Sequence, residues 1–365
     1  ISAGVRRGVV VDASKVTEII SQAVEKVGDE IRRKIDSVYA SIGGGHLSCV
    51  SSRGLVSVSR ADQKISEEDI NRVLQAAQAI SLPSNKEIIE VFPKEFIVDG
   101  EKGIKEVLGM QGVRLEAEVL VLSCFSPFLK NTTQTILNTG LQINDLILAP
   151  LAGARAVLTP RERELGVAIL DIGAGTTGLA VFEEETLVHT AIFPIGSGNI
   201  TNDIAICLKT DIETAEKIKI EFGTCFLSRE GKTGKQIRIE ADEEPLIFSK
   251  KFLSEIIEAR VSEIFSLVQK ELKKISRAKL LPAGVVLTGG GANLPKIREL
   301  CKKELKLPSR IGIPRGFFPA LEDPSLSTVC GLVLSGADFE GEQKFSLPQK
   351  GIGAKLKRIF RIFIP

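Results

Sequence analysis

The chain has 365 residues, of which 43% are hydrophobic and 26% charged, and this composition is typical of a folded globular protein with room for two or more domains. Its 48 Lys and Arg residues nearly balance its 46 Asp and Glu residues, which leaves a formal net charge of +2. With one Tyr and no Trp, the chain offers neither a basic surface field nor stacking aromatics, so no nucleic-acid partner is predicted. Six widely spaced Cys and two His residues predict neither a zinc site nor a disulfide framework.

The first half of the chain predicts two packed units. Apolar residues recur three or four apart after Asp12, which indicates an amphipathic helix. After Leu47 the pattern is instead that of short strands. The predicted elements are a helix at 16–35, a strand at 38–42, a compact α+β block at 47–128 with one helix at 67–80, a helix at 132–139 and a strand at 144–148. The longest apolar run, Leu146–Ala154, is well short of the roughly 18 residues that a transmembrane helix needs.

The second half alternates strands and helices and ends on a separate segment. The predicted elements are a strand, glycine turn and strand at 166–182, helices at 200–208 and 212–222, a polar hairpin at 228–250, a long amphipathic helix at 253–275, a strand at 284–287 and a helix at 293–306. Residues 339–350 are polar, which predicts a linker before the last segment.

The motif DIGAGTT, from Asp171 to Thr177, follows a buried apolar strand. Gly173 and Gly175 let the backbone turn without a Cβ in the way, and Thr176 adds a second hydroxyl beside that of Thr177. Such a turn can present N–H groups and hydroxyls to a phosphate, while the adjacent carboxylate can hold hydrated Mg²⁺. An ordinary β-hairpin with a capping Asp is the alternative.

A second glycine turn, Gly289-Gly290-Gly291, follows the strand at 284–287 and precedes a helix predicted to start near Asn293. Consecutive glycines allow a flat ring to approach the backbone, and a helix N-terminus favours a negative or polar ligand group. Because the spacing differs from GxGxxG and GxxxxGK[ST], neither a Rossmann nor a P-loop site is predicted. The same glycines also occur in ordinary loops.

The last 15 residues, 351–365, predict an amphipathic helix that lies on a membrane. The apolar face would carry Ile352, Leu356, Ile359, Phe360 and Phe363, and the opposite face Lys355, Lys357, Arg358 and Arg361. A helix of roughly 12 residues is only about 18 Å long, too short to span a bilayer but suited to its interface. Four cations near an anionic surface contribute about 4 kcal/mol of binding free energy. Docking of this helix on the protein's own core is the alternative, which four charges disfavour.

Together the two turns resemble the phosphate and adenosine loops of the actin and Hsp70 ATPase superfamily, and residues 195–199 resemble its middle glycine turn. Within that superfamily, the sequence resembles the FtsA family of actin-like bacterial cell-division proteins along nearly its whole length. The stretches that carry the resemblance are 37–49 (SVYASIGGGHLSC), 102–124, 158–182 (which holds LDIGAGTTGLAVF), 214–223 (TAEKIKIEFG) and 284–297 (GVVLTGGGANLPKI).

The resemblance implies an α/β, two-lobed actin-like fold with an inserted subdomain. The implied units are 1–46 and 129–165 for the first lobe, 47–128 for the inserted α+β subdomain, 166–205 and 279–338 for the second lobe, 206–278 for its outer subdomain, 339–350 for the linker and 351–365 for the amphipathic helix.

The resemblance also implies an ATP site in the cleft between the lobes, with Asp171 serving Mg²⁺. The implied ATP-binding residues are Gly173, Gly175, Thr176 and Thr177 at the phosphates, Gly196 in the middle turn, and Gly289, Gly290, Gly291 and Asn293 towards the adenine. Glu216 and Lys219 match the family's ribose-contacting helix, with a solvated i,i+3 salt bridge as the alternative.

Two departures from the superfamily's pattern concern catalysis. The family's first phosphate hairpin has no counterpart after Ile1, so we expect a natural segment to precede this residue and the site as given to lack half of its phosphate shell. Ala149 stands where the active hydrolases of the superfamily carry Glu or Gln, so a side chain to orient the attacking water is missing. We expect slow or absent hydrolysis, with nucleotide setting conformation and polymerisation.

The function implied by the resemblance is that of an ATP-binding scaffold that assembles with itself, tethers the tubulin-like protein FtsZ to the cytoplasmic side of the inner membrane at the division site, and recruits later division proteins. The C-terminal peptide of FtsZ would bind residues 206–278, where Arg260 matches a family position. An ordinary exposed Arg is the alternative for Arg260. For the whole chain, the alternative is a related pilus-assembly scaffold, and a sugar or acetate kinase is disfavoured because the tail has no role there.

Overall fold

The computed structural model describes residues 3–226, 236–239, 245–318 and 321–343, with side chains described up to residue 337. The predicted amphipathic helix at 351–365 lies outside these residues. The described helices are α1 (Ala13–Ile31), α2 (Glu67–Gln78), α3 (Ser126–Leu137), α4 (Ala149–Val157), α5 (Pro160–Leu165), α6 (Ser197–Leu208), α7 (Ile212–Phe222), α8 (Lys250–Lys274), α9 (Ile297–Leu305) and α10 (Ser327–Gln343). Among them, none combines the length and apolarity that crossing a bilayer requires.

The strands form several separate sheets. In chain order they are β1 (Val5–Arg6), β2 (Val9–Val10), β3 (Ser37–Ile42), β4 (Ser48–Ser57), β5 (Lys86–Val98), β6 (Glu101–Ile104), β7 (Arg114–Phe125), β8 (Gln142–Leu148), β9 (Val167–Ile172), β10 (Thr177–Glu183), β11 (Thr186–Phe193), β12 (Gln236–Ile239), β13 (Leu246–Ser249), β14 (Gly284–Thr288) and β15 (Ser309–Ile311).

A five-stranded sheet in the order β11-β10-β9-β14-β15 forms the centre of the second lobe. β9, β14 and β15 are parallel, and β10 and β11 continue the sheet as an antiparallel meander. β9 is an unbroken apolar run because both its faces are covered: Leu170 faces one hydrophobic core and Ile169 the other. The parallel register sets Asp171 opposite Thr288, so the glycine turns that follow β9 and β14 lie side by side.

The block between β4 and β7 is an antiparallel sheet in the order β4-β7-β5-β6, with α2 packed against it. A capping box formed by Ser66 and Asp69 starts α2, and Gly54 lets β4 approach the helix backbone, since a Cβ there would lie 2.2 Å from the carbonyl oxygen of Val73. On its other face, this sheet buries Phe92 and Leu122 in one core with the second lobe. The inserted α+β subdomain is therefore present and docked through apolar contacts.

In the first lobe, β3 and β8 form a parallel pair, and α4 and α10 pack beside them. α1 lies against α3, where the hydroxyl of Thr17 donates to the carbonyl oxygen of Thr135 at 3.2 Å. Val27 and Ile31 at the end of α1 are 45% and 52% exposed, and α1 buries no residue fully. The helix predicted at 16–35 therefore forms, but ends earlier and packs less closely than its pattern suggests.

Several predicted boundaries are wrong. α3 begins at Ser126 rather than Thr132, and α6 begins at Ser197 rather than Ile200. The helix expected from Asn293 begins only at Ile297, after a 3-10 turn at Gly290–Asn293, because Leu294 precedes a proline and is extended (φ −62°, ψ 124°). α10 continues to Gln343, so the first five residues of the segment predicted as a linker are helical.

Candidate nucleotide site

The turn between β9 and β10 is closed by a hydrogen bond from the N–H of Gly173 to the carbonyl oxygen of Thr176, 2.9 Å long. The N-terminus of α6 packs directly on it, because the N–H of Ser197 donates to Gly173 O at 2.8 Å and the N–H of Gly198 donates to Ala174 O at 2.8 Å. Gly196 is required for this approach, since a Cβ there would lie 2.4 Å from Gly173 O. The first and middle glycine turns thus form one rigid unit.

The two threonines of the first turn have different surroundings. Thr176 is half-buried, and its hydroxyl has no hydrogen-bond partner among the described residues, so it is available to a ligand. Thr177 is fully buried in β10, and its hydroxyl donates to the carbonyl oxygen of Ile195 at 2.8 Å. The prediction that the Thr177 hydroxyl serves a phosphate is therefore wrong: alternation along the strand turns it inward, where it ties β10 to the middle turn.

The third glycine turn lies against Asp171 and Ile172. Gly289 has a left-handed backbone (φ 79°), and a Cβ there would be 2.4 Å from Asp171 Oδ1. At Gly291 a Cβ would be 2.4 Å from Ile172 Cγ2, whereas at Gly290 the nearest atom would be 3.9 Å away. Two of the three glycines are thus needed for close backbone approach, and Gly290 is not.

The predicted metal-binding residue, Asp171, accepts a hydrogen bond at Oδ2 from the hydroxyl of Thr328, 2.9 Å away. No Lys or Arg in the described part of the chain forms an ion pair with this carboxylate. Burial raises the pKa of Asp171 above its usual range, and the hydrogen bond from Thr328 offsets only part of this. A partly buried carboxylate that lacks a basic partner fits a cation, so the residues present suit Mg²⁺.

Glu216 and Lys219 lie on α7, where Lys219 is buried against α6 while the side chain of Glu216 is 44% exposed. Lys219 is 7% exposed, and its ammonium donates to Glu216 Oε2 at 2.6 Å, to Thr201 Oγ1 at 2.9 Å and to the carbonyl oxygen of Ser197 at 3.4 Å. Burial alone would raise the pKa of Glu216, but the hydrogen bonds from Lys219 and Thr201 hold that pKa below its usual range. The i,i+3 salt bridge is therefore present, but it is not fully solvated, because the buried Lys219 ammonium also links α7 to the middle glycine turn.

Three further predicted residues are described by the structure, and Arg260 among them lies apart from the glycine turns. Asn293 donates from Nδ2 to Asp323 Oδ1 at 3.1 Å, which ties the third turn to the residue before the 3-10 turn at 324–326. Ala149 is the first residue of α4 and presents only a methyl group. Arg260, on α8, pairs through Nε and Nη2 with both oxygens of Asp203 on α6, at 2.6 and 2.7 Å.

Sequence reasoning missed Thr328, Thr201 and Asp203. Each acts through a contact with a residue far away in sequence, 157 positions for Thr328 and Asp171 and 57 for Arg260 and Asp203. No local pattern marks them, although a threonine in the first turn of a helix that follows Asp-Pro is a weak signal for a helix start.

The fold is similar to that of solved actin-like proteins. It matches the PilM–PilN type IV pilus biogenesis complex with a TM-score of 0.63 and 17% identity, over 92% of this chain and 89% of that one. It also matches MreB5 of Spiroplasma citri bound to ADP, with a TM-score of 0.60 and 12% identity, over 94% and 80% of the two chains. At such identities the likeness establishes the fold, and this protein is of the actin-like class.

Sequence relatives define the family within that class. The model of the family "Cell division protein FtsA" matches residues 168–331, and that of the "SHS2 domain inserted in FTSA" matches 44–123, which is the antiparallel sheet with α2. The cell division protein FtsA of Pseudomonas aeruginosa is 37% identical over 346 residues, 93% of this chain and 82% of that protein. That of Bacillus subtilis is 33% identical over 356 residues, 96% and 80% of the two. The chain belongs to the FtsA family of cell-division proteins.

Proposed function

We propose that this chain is an ATP- and Mg²⁺-binding scaffold that polymerises, tethers FtsZ to the cytoplasmic side of the bacterial inner membrane at the division site, and recruits later division proteins. The observation that carries the nucleotide part is the Asp171 carboxylate at the junction of the glycine turns, which forms no ion pair with any described Lys or Arg. Family membership supports the division role. Nucleotide binding is supported by the structural neighbour MreB5, whose structure contains bound ADP.

Each group at the junction has a role towards the nucleotide. Asp171 would hold Mg²⁺, which brings charge neutralisation for the phosphates. The free hydroxyl of Thr176 and the N–H groups of the first turn would serve the phosphates, and Gly290 and Gly291 would border the adenosine. Because Ala149 presents no polar group to orient water, nucleotide would act chiefly by setting conformation.

A binding titration tests the nucleotide part. Asp171→Asn removes the charge that holds Mg²⁺, so ATP affinity in the presence of Mg²⁺ should fall about tenfold or more. Asp62→Asn is the matched control, because it makes the same change at an exposed site in the inserted subdomain. Absence of Mg²⁺-dependent ATP binding by the wild type would contradict the proposal.

The tail at 351–365 is proposed as the membrane anchor, on the strength of its four cations opposite an apolar face. Deletion of 351–365 should abolish co-sedimentation with liposomes that contain anionic lipid. Deletion of residues 344–350 alone is the control, since it leaves the amphipathic sequence intact. Undiminished sedimentation after loss of 351–365 would show that the anchor lies elsewhere.

The surface around Arg260, where α8 meets α6, is proposed to receive the FtsZ C-terminal peptide. The Arg260 side chain is 26% exposed, and Ile206, three residues after its partner Asp203 on α6, is 74% exposed. A guanidinium and an exposed apolar side chain on the same pair of helices suit a peptide that carries acidic and apolar residues. The Asp203 carboxylate competes for the guanidinium, so binding would require exchange of this pair.

A further inference from the structure

The orientation of the Asp171 carboxylate is determined by one hydrogen bond and one close contact. Oδ2 accepts from Thr328 at 2.9 Å, and Oδ1 faces the bare Cα of Gly289, where a side chain would lie 2.4 Å away. Within the residues that the structure describes, Thr328 is the one side chain that hydrogen-bonds Asp171. Rotation about the last side-chain bond of Asp171 is therefore limited by Thr328.

Thr328 is itself held by a buried network at the start of α10. The neighbouring Ser327 is fully buried, and its hydroxyl lies 2.6 Å from that of Thr288, which is fully buried too. The hydroxyl of Thr288 also donates to the carbonyl oxygen of Pro324 at 3.1 Å, an atom that accepts the N–H of Gly289 as well, at 3.1 Å. Since β14 pairs Thr288 with Asp171, the first turn of α10 is fixed relative to the carboxylate.

We propose that Thr328 is a positioning residue of the nucleotide site, which orients Asp171 for Mg²⁺. The inference rests on the proposed function. Mg²⁺ demands a near-ideal octahedral arrangement of oxygen ligands, so the direction of a ligating carboxylate matters. Partners that hydrogen-bond a metal ligand typically contribute 10- to 100-fold to metal affinity. The β-branched Thr has few allowed rotamers, so its hydroxyl is pre-set for this bond.

The test separates an effect on Mg²⁺-dependent ATP binding from a general loss of ATP affinity. Thr328→Val removes the hydroxyl and keeps the shape, whereas Thr328→Ser keeps the hydroxyl. ATP affinity is titrated against free Mg²⁺ and also measured in EDTA. We expect Thr328→Val to raise the Mg²⁺ concentration for half-maximal binding about tenfold and to leave the affinity in EDTA unchanged, while Thr328→Ser stays close to the wild type.

Ser335→Ala is the control on the same helix, since the one partner of the Ser335 hydroxyl among the described residues is the helix backbone at Gly331. Thermal unfolding without nucleotide reports whether each variant is folded. An unchanged Mg²⁺ requirement in Thr328→Val overturns the inference, and so does an equal loss of affinity with and without Mg²⁺. If the wild type binds no nucleotide, the proposed function fails, and the inference fails with it. If the wild type binds nucleotide and Thr328→Val needs no more Mg²⁺ than the wild type, only the inference fails.

Discussion

Gly331 on α10 meets the backbone of Ala152 on α4 so closely that a Cβ at position 331 would lie 1.7 Å from the carbonyl oxygen of Ala152. No rotamer change relieves such a contact, because it involves backbone on both sides. α4 and α10 can therefore pack at this distance only with glycine at this position.

Gly331→Ala should force these helices apart and lower the free energy of unfolding by about 1–3 kcal/mol, the usual cost of overpacking. Val333→Ala is a suitable control, because Val333 lies on the same helix but is 55% exposed. Chemical denaturation measures both. A Gly331→Ala variant as stable as the wild type would mean that α10 can shift along α4 without loss.

Gly290 and Gly291 are adjacent, but we expect only position 290 to tolerate a side chain. Gly291→Ala places a Cβ 2.4 Å from Ile172 Cγ2 and should both destabilise the protein by about 1–3 kcal/mol and weaken ATP binding, because the turn moves away from β9. Gly290→Ala meets nothing closer than 3.9 Å and should change stability by less than about 0.5 kcal/mol. Equal effects of the two substitutions would contradict the described geometry of this turn.

Asp203→Asn should strengthen binding of an acidic FtsZ peptide, because it weakens one of the two intramolecular partners of Arg260, the other being Glu263. A gain of about fivefold is expected, equivalent to about 1 kcal/mol. Glu258→Gln makes the same charge change on α8 at a residue that pairs with Lys303 instead. If both variants gain equally, general charge and not Arg260 governs the affinity, and if neither gains, the peptide binds elsewhere.

Acid should weaken the contact between α5 and β15. Burial alone would raise the pKa of Glu162, but hydrogen bonds from Arg310 and Thr159 lower it from 4.5 to about 2. Because the folded-state pKa lies below the unfolded one, this stabilisation is complete above about pH 4.5 and is lost as the pH falls towards 2. After allowance for solvent screening, about 1–2 kcal/mol is involved.

Unfolding measured between neutral and acidic pH tests this assignment with Glu162→Gln, which should be less stable at neutral pH and less sensitive to acid. Exposed Glu164 on the same helix provides the control as Glu164→Gln. An acid response identical in wild type and Glu162→Gln would assign the pH dependence to other carboxylates.

The parts of the site that sequence could predict are those made by local patterns. The strand, turn and strand around Asp171 follow from an apolar run, two glycines and a second apolar run, and the structure has each of them. Thr177 illustrates the limit, because its residue type fits a phosphate ligand but its place in the strand turns the hydroxyl inward. Burial of Lys219 and the pairing of Arg260 both depend on contacts with α6. The sequence predicts where α6 lies along the chain, but it does not predict that α6 packs against α7 and α8.

The 17 residues of α10 give the helix a length of about 25 Å, with one end beside Asp171 and the other separated by seven residues from the segment at 351–365 that we propose as the membrane anchor. If α10 tilted by about 10° about Thr328, Gln343 would move by about 4 Å, because about 22 Å of helix lies between the two residues. The contacts of Gly331 with Ala152 and of Gly336 with the ring of Tyr39 are the points at which α10 bears on α4 and β3. A small change in helix direction beside the Asp171 carboxylate would thus become a larger displacement at the end of α10 that adjoins the proposed anchor.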